Sequence, residues 1–203
     1  YKYYFDNIKL QIVTKGNTIP LTPEEKKEAL TRAMNNWIEG MMKATGGYVT
    51  TWDVVNEAIS GDGNDGEGFY VLQSASNEDA DPVNNFYWQD YLGSEDYVRI
   101  VVAAARKYYA ENGGVKPLKL FINDYNLEST WDDNKKAKSL VHWIEKWESD
   151  GVTKIDGIGT QMHVTYNADA AKQQKQEEHV VKMFEILAKS GKLVKVSELD
   201  MGY

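Results

Sequence analysis

The chain has 203 residues, with 42% hydrophobic and 27% charged side chains, a formal net charge of −8 and no cysteine. That describes a globular domain large enough for a real core. It excludes disulfides, thiol catalysis and thiolate metal sites, and the negative charge without a Lys/Arg-rich run argues against a nucleic-acid partner. The helical patterns are all amphipathic, so none is expected to span a membrane. The opening residues lack the charged and apolar regions of a signal peptide. Six Trp and thirteen Tyr are many for this length, and aromatic rings that pack cores also stack on sugars.

Residues 8–12 (IKLQI) alternate like a half-buried strand, and KGNTIPL breaks the pattern near Lys15 to Leu21. Thr22, Pro23 and Glu25 then spell a capping box with proline in the first turn. Ala29, Leu30, Ala33, Met34, Trp37, Ile38, Met41 and Met42 recur at helical spacing until Gly46 and Gly47. A Met pair on such a stripe is read as core packing. The strand YVTTWDVVN follows, then a polar stretch over residues 60–95. A loop of that length inside a compact domain is usually functional.

The next helix is expected from Ser94 to Asn112, with Tyr97, Val101, Ala104, Ala105 and Tyr108 on one face. The strand LKLFIN comes after it. A helix over Asp132–Ser149 buries Ala137, Leu140, Val141, Ile144 and Trp147, and the strand KIDGIGTQ follows. A last helix, Ala170–Lys189, buries Val180, Met183, Phe184 and Leu187 before the strand LVKVSEL. Alternation of this kind predicts an α/β fold with a parallel sheet and right-handed crossovers. The last three strands end near Asn123, Gln161 and Glu198, 38 and 37 residues apart. That is close to one strand–helix unit of a (β/α)8 barrel, roughly 30 residues each.

Every strand ends in polar chemistry: Asn56 and Glu57; Asn123, Asp124, Tyr125 and Asn126; Gln161 and His163; Glu198 and Asp200. Ligands bind at the carboxyl ends of parallel strands. Any one of these residues is more often an ordinary polar loop residue, but four consecutive strand ends make that account poor. Amides and carboxylates suit sugar hydroxyls, whereas the basic residues a phosphate would want are missing. Two carboxylates on such a rim point to glycoside hydrolysis, which needs one protonated acid and one ionised group at the anomeric carbon. Glu57 and Glu198 are the candidates. Asp53, inside its strand, reads as a structural hydrogen-bonding residue.

WDVVNEA, NDYN, GIGTQMH and VSELD, in this order and spacing, resemble glycoside hydrolase family 10, the endo-β-1,4-xylanases. The match runs from about Pro20 to Tyr203. The resemblance implies Glu57 as general acid/base at the end of barrel strand 4 and Glu198 as nucleophile at the end of strand 7. It implies Asn56 on the sugar 2-hydroxyl, and Gln161 and His163 lining that subsite with His163 contacting the nucleophile. Asp200 would support His163, and Tyr125 and Asn126 would lie toward the leaving group. His163 and Asn56 are expected to favour the ionised form of Glu198. No cofactor or metal is implied.

Only the family's strands 4 to 7 are recognisable. No HTLVWH-like stretch of an early strand occurs, nor strand 8 with its tryptophan. The opening YKYYFDNIKLQIV is similar to the last strand of a β-sandwich carbohydrate-binding module. This implies two parts: residues 1–15, the end of an inserted module, and residues 16–203, a partial (β/α)8 catalytic domain. The rest of the barrel is then expected from the same protein, since half a barrel leaves open edges. The partner is xylan or its oligosaccharides, and the location is secreted, cell-surface or periplasmic, inferred from the polymeric substrate.

The rivals are another retaining β-1,4-glycanase (a cellulase or mannanase) on the same barrel and a non-catalytic sugar-binding fragment. GDGNDGEG, residues 61–68, fails as a calcium loop because Gly66, Glu67 and Gln73 stand at its key positions. His142, His163 and His179 lack zinc-site spacing. GIGTQM lacks the third glycine of a dinucleotide fingerprint.

Overall fold

The computed structural model describes residues 19–202. The expected module end at residues 1–15, with its strand over 8–12, lies outside the described residues. The first described helix, α1 (Pro23–Thr45), is set by its ends. Thr22 Oγ1 accepts from the Glu25 amide at 3.2 Å, and the Thr22 amide donates to Glu25 Oε2 at 2.8 Å. Gly46 closes it at φ 55°, a left-handed turn that costs glycine little. The rest of the chain alternates: β1 (Thr51–Asn56), α2 (Gln89–Leu92), α3 (Asp96–Glu111), β2 (Lys119–Tyr125), α4 (Lys135–Glu148), β3 (Gly157–Thr165), α5 (Ala170–Lys189) and β4 (Leu193–Gly202). No described helix is long and apolar enough to cross a membrane.

All strand pairs are parallel, in the order β1-β2-β3-β4. Sequential order without a reversal leaves no switch point among these strands, which is barrel rather than doubly wound topology. The sheet is also strongly curved. Lys195 Nζ on β4 lies 2.5 Å from Asp53 Oδ1 on β1, although β2 and β3 stand between them in the sheet. Asp53 is thus an ion-pair partner inside the concave face.

The glycines of GIGTQM serve that same curvature. A Cβ on Gly157 would meet the Phe121 ring at 2.2 Å, and one on Gly159 would meet Asn123 Oδ1 at 2.0 Å. They are room for neighbours on β2, with no phosphate-binding turn.

The expected face of α3 is buried (Tyr97, Val101, Ala104, Ala105 and Tyr108), and so is that of α4 at Ala137, Leu140, Ile144 and Trp147, whereas Val141 is only half-buried. On α5, Met183 and Leu187 are buried while Val180 and Phe184 are half-buried. The α1 stripe departs from expectation. Met34 and Met42 are buried, but Trp37 is 71% exposed and Met41 is exposed as well. Among the described residues α1 packs on α2 and α3, and nothing covers the other side of the stripe.

Candidate active site

The rim at the strand ends begins at Glu57, one residue beyond β1. Its φ is +56°, a left-handed conformation uncommon for a side-chain-bearing residue. Both of its backbone groups are tied. The amide donates to Asn123 O at 2.8 Å, and the carbonyl accepts from Gln73 Nε2 at 2.7 Å. These bonds hold the turn that aims the carboxylate across the sheet. Asn56 Nδ2 lies 3.2 Å from Glu57 Oε1. Gln161 Nε2 on β3 donates to Glu57 Oε1 at 3.1 Å and to Asn56 Oδ1 at 2.9 Å.

Glu198 pairs in register with Gln161, at a shift in the β3–β4 ladder between Thr160 and Gln161. His163 pairs with Asp200 in the same ladder. The imidazole is held between two carboxylates, with Nε2 at 3.1 Å from Glu198 Oε2 and Nδ1 at 2.8 Å from Asp200 Oδ2. The hydrogen bond to Asp200, with the charges of Asp200 and Glu198 behind it, raises the His163 pKa above its ordinary value. One expectation is corrected here. The Asn56 amide serves Glu57, not Glu198, because Asn56 and Glu57 leave the same strand while Glu198 faces β3.

Tyr125 and Asn126 end β2. Tyr125 pairs in register with Gln161, and Lys136 Nζ lies 3.3 Å from the centre of its ring. Asn126 has φ +57° and lines a groove with His163. Beneath them, Asp124 is fully buried. Its carboxylate accepts from Lys136 Nζ at 2.8 Å, the Ile59 amide at 2.9 Å and the Tyr125 amide at 2.9 Å. Burial pushes the Asp124 pKa up, against the pull of Lys136 and the two amides.

The long polar stretch is an organised loop. Ile59 bridges to Leu72, and α2 interrupts it near its end. Asp65 accepts from the amides of Glu67 (2.9 Å) and Phe69 (3.1 Å), from Lys146 Nζ (3.2 Å) and pairs with His142 Nε2 (2.8 Å). Burial alone would raise its pKa, yet these partners hold it well below the usual carboxylate range. Asp65, Glu67 and His142 come close enough to hold an ion. However, Lys146 already pairs with both acids, so the cluster has its cation.

Sequence reasoning missed Gln73, Lys136, Glu128 and Trp131. Gln73 sits in a polar loop with no periodicity. Lys136 is a lysine that only the fold shows to be buried.

Parallel strands in sequential order, ending in two glutamates, amides and a histidine, define a barrel-type α/β protein. The family model of glycosyl hydrolase family 10 matches residues 16–203. Endo-1,4-beta-xylanase C of Paenibacillus barcinonensis is 32% identical over 182 residues, covering 86% of this chain and 14% of that protein. A thermostable celloxylanase of Thermoclostridium stercorarium is 30% identical over 185 residues, covering 91% of this chain and 39% of that protein. Among solved structures, a GH10 protein of Paenibacillus barcinonensis superposes with a TM-score of 0.63 at 30% identity, covering 86% of this chain and 43% of that one. The chain belongs to glycosyl hydrolase family 10, and its described strands are part of that (β/α)8 barrel. It spans less than half the length of these relatives.

Proposed function

We propose that this chain is the part of a retaining endo-1,4-β-xylanase that carries both catalytic carboxylates. One observation carries the reading: the two glutamates have opposite surroundings. Glu57 is contacted by neutral amides of Asn56 and Gln161, whereas Glu198 faces an imidazole held by Asp200. Glu198 has a partner that can carry a positive charge, which suits an attacking carboxylate, and Glu57 has none among the described residues.

In the first step Glu198 attacks the anomeric carbon while Glu57 gives its proton to the glycosidic oxygen, and the leaving sugar departs. In the second, Glu57 takes a proton from water. The water oxygen attacks the glycosyl–Glu198 ester and frees the carboxylate. Asn56 bonds the 2-hydroxyl, Gln161 and His163 line the subsite, and Tyr125 and Asn126 face the leaving group. The remaining barrel strands come from the same protein. A polymeric substrate places the enzyme outside the cytoplasm, secreted, cell-surface or periplasmic.

The test is hydrolysis of soluble β-1,4-xylan by the full-length protein, with carboxymethyl cellulose as comparison. Xylan is expected to be cleaved to short oligosaccharides. Glu57→Gln and Glu198→Gln should each lower turnover by roughly a hundredfold to ten-thousandfold. A 2-fluoro-xylosyl reagent should leave its sugar on the peptide containing Glu198. Label on another residue, or faster cellulose than xylan cleavage, sinks the proposal.

A further inference from the structure

Two grooves flank the rim, and they differ in charge. One is lined by Glu57, Asp62, Asp79 and Tyr125 without any Lys or Arg. The other, about 410 Å³, runs between residues 126–131 and the first turns of α5. Its walls include Glu128, Trp131, Lys172 and Lys175.

Glu128 is only 7% exposed, and its Oε2 is buried without a hydrogen-bond partner. An unpartnered buried carboxyl oxygen is unspent bonding capacity in the groove wall. Burial raises its pKa, against its own amide and the charges of His163 and Lys136. Trp131 is 70% exposed, yet its loop is tied down. Asn134, fully buried, donates from Nδ2 to Leu127 O at 2.9 Å and to His179 O at 3.0 Å, while its Oδ1 meets His179 Nδ1 at 2.8 Å. An open indole on a fixed loop is a stacking face.

Lys172 and Lys175 are exposed and have no ion-pair partner among the described residues. Asp169 caps α5, its carboxylate accepting from the Lys172 amide at 3.0 Å, so the positive charge at the groove is that of the two lysines and not of the helix end. The groove thus offers an aromatic face, a hydroxyl acceptor at its floor and two unpaired cations at its rim.

We propose that this groove is a subsite for a sugar bearing a carboxylate, a uronic-acid branch on the β-1,4-xylan chain. Trp131 takes the ring face, Glu128 takes a ring hydroxyl, and Lys172 and Lys175 take the carboxylate. The acidic groove on the other side would repel the same branch. This rests on the xylanase reading for its substrate.

The experiment compares kcat/KM on glucuronoxylan and on neutral linear xylo-oligosaccharide for the full-length wild type and Lys172→Gln/Lys175→Gln. The ratio of the two values is expected to fall about tenfold in the variant, the size of two exposed charge pairs together. The difference should shrink in 0.5 M NaCl, because solvent-exposed charge pairs are screened. A ratio unchanged within about twofold overturns the subsite. If the wild type cleaves neither substrate, the xylanase reading has failed by itself. The groove is then tested by titrating an aldouronic oligosaccharide into wild type and variant. Binding weakened in the variant supports the site, and equal or absent binding overturns it.

Discussion

Gln161 touches Glu57 across an intervening strand. Its Nε2 reaches Glu57 Oε1 at 3.1 Å from β3, although β2 lies between them in the sheet. Only a curved sheet brings those side chains together, so the contact depends on the barrel's curvature. The same amide holds Asn56 at 2.9 Å. Gln161→Leu keeps the bulk and removes the donor. A hydrogen bond to a charged group is worth about 1.5–3 kcal/mol, so kcat/KM on xylan should fall roughly tenfold to hundredfold. Urea unfolding should change by no more than about 1 kcal/mol, since water can reach the exposed Asn56. A variant with wild-type kcat/KM would show that the contact does not position Glu57.

His163 carries a pH prediction. Its folded pKa is raised, first by the Asp200 hydrogen bond and further by the charges of Asp200 and Glu198. A raised pKa means that the imidazolium's stabilisation is fully present below the unfolded value of about 6.5 and is lost as pH rises through the folded value. In Asp200→Asn the first cause disappears. The His163 C2–H signal should titrate at lower pH, and the alkaline limb of xylan cleavage should move in the same direction. A titration curve unmoved by the substitution would contradict the assignment of Asp200 as the positioning partner.

The strand ends were legible because polar residues closing apolar runs report the rim of a parallel sheet. Glu57, Gln161, His163 and Glu198 could be named from sequence for that reason. Burial was harder to read. Helical periodicity says that Met34, Trp37 and Met41 share a face of α1, but not whether anything covers it, and Trp37 stands open. Lys136 shows the converse, since a lysine in the first turn of α4 reads as solvated and is 3% exposed beneath Tyr125. Strand lengths also exceeded the pattern. The β3–β4 ladder runs on through Thr165 and Gly202 because pairing continues past the apolar runs. The four-residue α2 is too short for periodicity to register. Glu128 and Trp131 carry no motif, and only the folded loop shows them lining one groove.

Gly159 tests the packing of the concave face. A Cβ there would lie 2.0 Å from Asn123 Oδ1 and 3.2 Å from Ser197 Cβ. The side chain of Asn123 is buried between strands and cannot swing into solvent. Overpacking of this kind costs about 1–3 kcal/mol. Gly159→Ala should lower the denaturation midpoint accordingly, whereas Gly151→Ala meets no neighbouring atoms and carries only the strain of its φ of +71°. Asn123 also stands at the strand position whose carbonyl anchors the Glu57 amide. The Gly159 variant should therefore lose activity beyond its loss of stability, measured well below its melting temperature.

The buried pair of Lys136 and Asp124 gives the largest stability prediction. The two side chains are 3% and 0% exposed and 2.8 Å apart, and Asp124 also accepts the Ile59 and Tyr125 amides. Lys136→Met leaves a buried carboxylate without its counter-charge, which costs about 3–5 kcal/mol. Removing both charges, in Lys136→Met/Asp124→Leu, should recover part of that loss because no isolated charge remains. Recovery should be incomplete, since the Ile59 and Tyr125 amides lose their acceptor, at about 1–3 kcal/mol for each left unsatisfied. Denaturant melts of these two variants and of Asp124→Leu alone complete the cycle. If Lys136→Met proved as stable as wild type, the pair would not be holding the loop after β2, and Tyr125 would owe its position to packing alone.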